Sequence, residues 1–480
     1  MTAILVALHI ASVAGLALYG LLGFLTLILF LRVRGRHHVL PACAESDLPL
    51  VTVQLPIYNE REVVQRVITA AAALEYPRDR LEIQVLDDST DETSRLAAEC
   101  VAAYQREGFN IQLLHRDNRK GYKAGALQES LERSRGDFIA VLDADFVPAP
   151  DFLRQVMPYF LSDAGLGAVQ ARWGHLNEGA SGLTGAQAVA LDKHFAVEQL
   201  VRHRADLFPK FNGSAGIWRK TCVLDAGGWQ EDTVCEDLCL STRAVLAGWR
   251  FHFADDVVVP AELPATILSY KVQQARWAMG STQCMVKYGG QILRAEQQTR
   301  MARIYALLSM SAYLTHILLL ILLLVQLPLL LADVQPPPWL LPFSVLGLGQ
   351  PILFILAQHE LHRDWGRRMR YFPALLLVAI GLGPSNAWAV IRGMLGSDFA
   401  FERTPKGSRR SYRLTPGLML GIEGSLFIYS AATLLIALDR GYTGPVFLLA
   451  AAWLGFGYVL VLSILELLRP PNLPNTQPSQ

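Results

Sequence analysis

The chain has 480 residues, room for a large soluble domain together with membrane helices. Its 43 Lys and Arg balance 42 Asp and Glu, and no basic stripe is interleaved with aromatics, which excludes a nucleic-acid-binding protein. Apolar residues are 52% of the chain but unevenly placed: residues 50–287 are mixed and charged, and the flanks are close to lipid-soluble.

Residues 3–31 are predominantly apolar, longer than the core of a cleavable signal, and no basic segment precedes them. They suffice to span a bilayer, so residues 1–35 read as a transmembrane helix. Arg32, Arg34 and Arg36 follow the apolar run, which puts that end in the cytoplasm and the N-terminus outside.

From 48 to 290 the pattern alternates between strand and helix. Residues 51–55 form a β-type run ending at Pro56. A helix is expected over 60–74, a strand over 82–86, a helix over 93–107 and a strand over 111–115. A helix over 124–134 and a buried strand over 138–142 follow. These lengths imply right-handed βαβ units and a parallel sheet. Acidic clusters then fall at the carboxyl ends of strands, where open α/β sheets bind ligands.

After residue 287 the chain turns hydrophobic. Spans are expected over 304–331 and 339–357, joined by a loop at 333–338 without Lys or Arg, as an outside loop should be. Residues 359–371 carry Arg363, Arg367, Arg368 and Arg370 and should lie inside. Residues 416–438 and 446–468 form a final hairpin with its tip at Asp439-Arg440-Gly441. Residues 372–395 are apolar, then broken at 381–386. If they span, the basic loop 403–413 lands outside; if they lie in the interface, it stays inside with the other basic loops. The interfacial reading is adopted, giving five spans, with six as the alternative. Residues 300–470 are thus the membrane region and 471–480 a short Pro-rich tail. No cyclic-dinucleotide-binding domain is expected there.

The chemistry rests on acidic clusters. Asp143-Ala144-Asp145 ends a strand, and two carboxylates at i and i+2 can share a hard cation such as Mg2+ or Mn2+, with diphosphate oxygens completing the shell. Asp87 and Asp88 end another strand and suit a base or ribose, or else Ser89 or Asp91 caps the next helix. Tyr58 and Glu60 follow the first strand and are placed to flank a base. The loop from Arg119 to Leu127 runs into a helix, and Lys123 is expected near phosphate, unless the loop is simply basic and solvated. Glu236 and Asp237 precede an amphipathic helix: they favour its N-terminus, or Asp237 is a general base on an acceptor hydroxyl. In Gln273-Gln274-Ala275-Arg276-Trp277, Arg276 suits a diphosphate and Trp277 a sugar face, or Trp277 is an interface anchor. The six cysteines (Cys43, Cys100, Cys222, Cys235, Cys239 and Cys284) form no C-x-x-C pair and are expected as reduced cytosolic thiols.

Together these stretches resemble processive glycosyltransferase family 2 enzymes, the cellulose-synthase superfamily. The likeness runs closest to the cellulose-synthase-like A and C types, mannan, glucomannan and glucan synthases. It is carried by 86–91, His115-Arg116 with 121–127, 143–146, 170–173, 194–199, 211–216, 236–238 and 273–277. The resemblance implies a GT-A, Rossmann-like α/β domain, an inverting metal-dependent mechanism and a β-linked product. It gives Asp88 and Asp237 catalytic roles, with Asp87 beside Asp88 on the nucleotide and Asp143 and Asp145 on the metal. Phe211, Asn212, Gly213, Ser214, Glu236, Gln273 and Trp277 would border the acceptor. Residues 396–416 resemble a gating loop, with Thr404 and Lys406 toward the donor, although Glu402-Arg403 departs from the usual hydrophobic pair.

The expected protein is a hexosyltransferase of the inner or plasma membrane with a cytoplasmic catalytic domain. It would polymerise glucose or mannose from a UDP- or GDP-sugar into a β-linked, β-1,4-like glycan and pass it through its helices. Accessory export subunits or a second copy of the chain are partners the sequence leaves open. A lipid glycosyltransferase acting on diacylglycerol, ceramide or polyprenyl phosphate is the enzymatic alternative. A non-catalytic export subunit is the other, and the retained carboxylates argue against it.

Overall fold

The computed structural model describes residues 2–35, 44–396 and 417–468. Thr404, Lys406, Cys43 and the tail 471–480 lie outside the described residues.

Seven strands form one sheet: β1 Val51–Ile57, β2 Leu81–Asp87, β3 Ile111–His115, β4 Phe138–Val141, β5 Leu166–His175, β6 Gly216–Arg219 and β7 Arg250–Ala261. Their order is β3-β2-β1-β4-β6-β5-β7. The first four are parallel, as read from the sequence. The whole sheet is mixed, however, because β6 runs antiparallel to both β4 and β5. Its four residues are too few to show a period, and it starts at the same end of the sheet where β4 and β5 finish.

Of the parallel half, β1, β2 and β4 are almost wholly buried, while the edge strand β3 is only partly so. Helices α2 (Val64–Ala72), α3 (Thr93–Arg106) and α5 (Phe152–Ser162) pack on one face; α4 (Tyr122–Arg133) packs on the other. Buried polar side chains cross-link the strands: Gln54 Nε2 donates to Gln84 Oε1 at 3.1 Å. Glu82 accepts from Thr52 Oγ1 at 2.6 Å and from the Arg135 amide at 2.9 Å. The helix expected from residue 60 starts only at Val64. Asn59 takes a left-handed φ of 53°, its amide donates to Ser89 Oγ, and its Oδ1 accepts from the Thr90 amide. These bonds tie the loop after β1 to the loop after β2 and keep Glu60 out of the helix.

α6 (Gly182–Lys193) packs with residues of the membrane region, while the second face continues into α7 (Glu236–Leu246), the 28-residue α8 (Ile267–Arg294) and α9 (Arg300–Met310). The span expected over 304–331 is therefore two elements. Residues of α9 bury Ala302, Tyr305, Ala306 and Met310 within the described protein, and the apolar span α10 is Leu314–Leu331. Hydropathy runs unbroken across the turn between them, which hid the break.

Among the described residues five helices are long and apolar enough to cross a membrane: α1 (Thr2–Val33), α10, α11 (Pro338–Leu361), α14 (Gly417–Asp439) and α15 (Val446–Leu468). Leu435 is 66% and Phe447 86% exposed, as lipid-facing side chains are. Between α11 and α14 lie α12 (Phe372–Gly381) and α13 (Gly383–Met394), bent by 48° at their junction.

Contacts sort the helix ends onto two sides. On one side Arg34 pairs with Glu360 at 2.7 Å, and Arg204 of the soluble domain donates to the Arg34 carbonyl. On the same side Lys271 of α8 pairs with Glu423 of α14 at 2.6 Å and donates to Ser463 of α15 at 2.9 Å. Glu466 of α15 accepts from the Ile267 and Leu268 amides, capping the start of α8 at 2.6 and 3.1 Å. On the other side Tyr442 bonds Asp333, and Arg440 bonds the Leu330 carbonyl. The bent pair starts and finishes on the soluble-domain side. Tyr371, just before it, abuts Gly185 of α6, and Gly393, near its end, abuts Met279 and Thr282 of α8. Its bend rests on Gly455 and Val459 of α15.

Cysteines placed at Gly444, beyond the hairpin tip, and at Gly366, between α11 and α12, test this arrangement. An impermeant thiol reagent should modify them from opposite sides of sealed vesicles. Modification from the same side would mean that the bent pair crosses the membrane.

Candidate active site

A cavity opens over the carboxyl ends of β1, β2 and β4. Its far walls are the segments around β5, β6 and β7 and the helix α8. Tyr58, Glu60, Asp88 and Arg119 line one end; Asn212, Gly213, Gln273 and Trp277 line the other. Between them stand Lys123, Asp143, Asp145, Glu236, Asp237 and Arg276.

Lys123 is the centre of the charge. Its Nζ lies 2.6 Å from Asp143 Oδ1 and 3.7 Å from Glu236 Oε1, and it donates to the Gly213 carbonyl at 2.9 Å. It sits in the first turn of α4. Burial alone would lower its pKa, but the charges of Asp143 and Glu236 outweigh it and raise it. Asp143 is raised, chiefly by burial, with Lys123 opposing and Asp145 adding to the rise. The Asp143 amide donates to Ser214 Oγ at 2.8 Å, fixing the turn after β4.

Glu236 and Asp237 open α7, so the helix-terminus reading and the site reading coexist. Burial and the neighbouring Glu236 charge push Asp237 up to about 6, while Lys123, the Leu238 amide and Arg276 restrain the rise. Gly213 faces it: φ is 82°, and a Cβ there would meet Asp237 Oδ2 at 2.9 Å. Glycine is therefore required for the loop to approach the carboxylate.

Asp88 is held by Arg116, with Nε–Oδ1 at 2.8 Å and Nη2–Oδ2 at 2.6 Å. Three of the residues named from the sequence do not line the cavity. Asp87 is fully buried and accepts from the Ser89 amide and Ser94 Oγ and bonds His115 Nδ1, so its oxygens are spent inside the fold. Phe211 is 1% exposed and packs on Trp218 in the core. Ser214 is buried and serves the Asp143 amide. Asp91, read as a cap, accepts from the Thr93 amide at 2.9 Å at the start of α3.

Asn212 reaches the cavity with its side-chain groups already engaged. Its Oδ1 accepts from Gln199, and its Nδ2 donates to His194 Nε2 at 2.8 Å. His194 and Gln199 bound a π-helical turn, His194–Gln199, whose Glu198 takes His194 Nδ1 at 3.0 Å. Burial pushes His194 down to about 4, so it is neutral. Sequence reasoning does not reveal this network, because a π turn leaves no periodic signal. It also passed over Arg119, which stood in the loop of Lys123, and His175, a cavity residue with no pattern around it.

Asp143 and Asp145 supply hard oxygen donors for a divalent cation. Among the described residues no cluster of three His, Cys, Asp or Glu is placed to hold an ion, so the pair suits a metal whose other ligands are substrate oxygens and water.

A family described as "Glycosyltransferase like family 2" matches residues 49–280. Glucomannan 4-beta-mannosyltransferase 2 of Arabidopsis thaliana is 37% identical over 405 residues, covering 80% of this chain and 76% of that protein. Glucomannan 4-beta-mannosyltransferase 7 of the same plant is 40% identical over 307 residues, 62% of this chain, and the match spans only 55% of that protein's length. Glucomannan 4-beta-mannosyltransferase 1 of Oryza sativa subsp. japonica is 34% identical, covering 77% of this chain and 74% of its own length. Among solved structures, a mannosyltransferase from Pyrobaculum calidifontis in complex with GDP-Man and Mn2+ superposes with a TM-score of 0.55 at 20% identity. It covers 83% of this chain and 99% of its own, a likeness of fold. The chain belongs to glycosyltransferase family 2, in the cellulose-synthase superfamily beside the glucomannan 4-β-mannosyltransferases.

Proposed function

We propose that this protein is a membrane-embedded inverting mannosyltransferase that takes mannose from GDP-mannose and extends a β-1,4-linked glycan. The observation that carries the reading is the recess in which Asp237, raised to about 6, faces Gly213 beside the Lys123–Asp143 pair. That is a base and an anion site within one cavity. The named relatives and the GDP-Man-bound neighbour favour mannose and GDP over glucose and UDP.

In this reading the acceptor sugar lies on Trp277 and Gln273 with its hydroxyl toward Asp237. Asp237 takes the hydroxyl proton as the oxygen bonds the anomeric carbon, and the bond from that carbon to the diphosphate breaks on the opposite face. Lys123 and Arg276 receive the departing negative charge. Asp143 and Asp145 would hold a Mg2+ or Mn2+ ion, which neutralises diphosphate charge when bound.

Beyond Trp277 the otherwise apolar helices present polar groups. Tyr313 donates to Gln274 at 3.2 Å, and Asn386 Nδ2 lies 3.1 Å from His316 Nε2. The glucomannan-acting relatives favour a polymer over a singly glycosylated lipid. The basic residues that follow α1 and α11 support a cytoplasmic catalytic domain.

Asp237 acts only when deprotonated, and its raised pKa moves that requirement toward neutrality. Thus kcat/KM should fall as pH drops through about 6. Asp237→Asn should lower turnover by ~10²–10⁴ with GDP affinity kept, and should remove this acidic limb. A variant that loses GDP affinity in proportion would make Asp237 a binding residue.

Membranes supplied with radiolabelled GDP-mannose and, separately, UDP-glucose decide the donor, and sizing the product decides polymer against single transfer. GDP-mannose should give a mannanase-sensitive polymer, abolished by Asp143→Asn, by Asp145→Asn and by EDTA. Full incorporation in metal-free membranes would overturn the role of the two aspartates.

A further inference from the structure

Among the described residues, the Arg119 guanidinium stands in the cavity without a polar partner. The Arg119 guanidinium lies 3.4 Å over the Tyr58 ring and 4.8 Å from the Tyr122 ring centroid. Its Nε is buried without a hydrogen bond, and among the described residues the guanidinium makes no hydrogen bond or ion pair. The other charges of that region are committed: Arg116 to Asp88, and Lys123 to Asp143. Unlike Nε, the two Nη groups are not sealed from solvent, so the fork stands open to the acceptors of a ligand in the cavity. The backbone is bent to deliver it, since Arg119 has φ 42° and Tyr122 has φ 51°.

The position along the sheet says which part of a ligand it meets. Asp143 and Asp145 follow β4. Tyr58 follows β1, and Asp88 follows β2, on one side of β4; Asn212 precedes β6, and Trp173 and His175 end β5, on the other. With the diphosphate at β4 and the acceptor toward β5 and β6, the Arg119–Tyr58 end is left for the nucleobase.

We propose that Arg119 reads the purine edge of the donor nucleotide and so selects GDP-sugars over UDP-sugars. Tyr58 and Tyr122 hold the guanidinium against their faces and leave its edge free. Guanine presents O6 and N7 as adjacent acceptors on one edge, which a guanidinium meets with two parallel N–H bonds. Uracil has no such pair, because beside O4 it offers either a C–H or the N3–H donor. The inference rests on the GDP-sugar reading and extends it to the residue that enforces it.

The test is equilibrium binding to the full-length protein in detergent with Mn2+, using GDP, UDP and 7-deaza-GDP, which lacks the N7 acceptor. Wild type should prefer GDP to UDP and lose about tenfold or more with 7-deaza-GDP. Arg119→Lys keeps the charge without the fork. It should bind GDP about ten- to a hundredfold more weakly, ignore the 7-deaza change and keep UDP affinity within about twofold. Retained UDP binding also shows that the variant is folded, and Arg119→Gln should behave alike. Equal weakening of GDP and UDP by Arg119→Lys would place the guanidinium on the diphosphate and overturn the proposal, leaving the donor reading intact. So would a wild type indifferent to the N7 deletion. A wild type that prefers UDP would overturn the donor reading itself.

Discussion

Asp143, Glu236 and Asp237 share one recess because Lys123 stands among them. Three carboxylates that close would repel one another strongly in a partly desolvated cavity. The ammonium touches Asp143, approaches Glu236 and bonds the Gly213 carbonyl, so four separate segments converge on one atom. They are the loop into α4, the turn after β4, the start of α7 and the loop before β6. Remove that charge and the carboxylates lose their shared counter-ion, although hydrogen bonds from the Asp143 amide to Ser214 and from the Phe211 amide to Ser241 still tie these segments together.

A second buried hub fastens this frame to the membrane helices. Asp192 of α6 bonds His175 through Oδ1 at 2.9 Å, and its Oδ2 takes Gln358, His362 and Arg368. Arg368 also forks onto both oxygens of Glu178. The carboxylate is buried but surrounded by donors, which hold its pKa below the usual range, His175 and His362 foremost, against the opposing effect of burial. Arg368 thus has two consequences. In the sequence it is one of four arginines in the segment 359–371; in the fold it is the bolt by which that segment is fastened to the catalytic domain.

The legible parts of the sequence were those with a period or a terminus. Residues 111–115 were bounded as they stand, because β-branched and leucine runs between polar breaks have few alternatives. The strand-end position of Asp143 and the helix-start position of Asp237 followed from the same logic. What escaped was set by tertiary contact. The short β6 has no period, and its antiparallel direction is decided by the loop before it. Asp87 and Asp88 are neighbours of identical chemistry, yet strand alternation turns one into the fold and the other toward the cavity, where Arg116 meets it. Phe211 in a polar motif reads as a sugar platform, but Trp218 claims its ring.

The start of α8 is capped by Glu466, and Lys271 is locked to Glu423, so the helix bearing Gln273, Arg276 and Trp277 is mounted on two lipid-embedded helices. Asp143 and Asp237, by contrast, are mounted on the sheet and on α7. The two halves of the cavity therefore answer to different solvents. A bilayer of different hydrophobic thickness that tilts α14 and α15 displaces one wall against the other. A catalytic domain cut free of its hairpin would keep its carboxylates but lose the support of the wall that faces them.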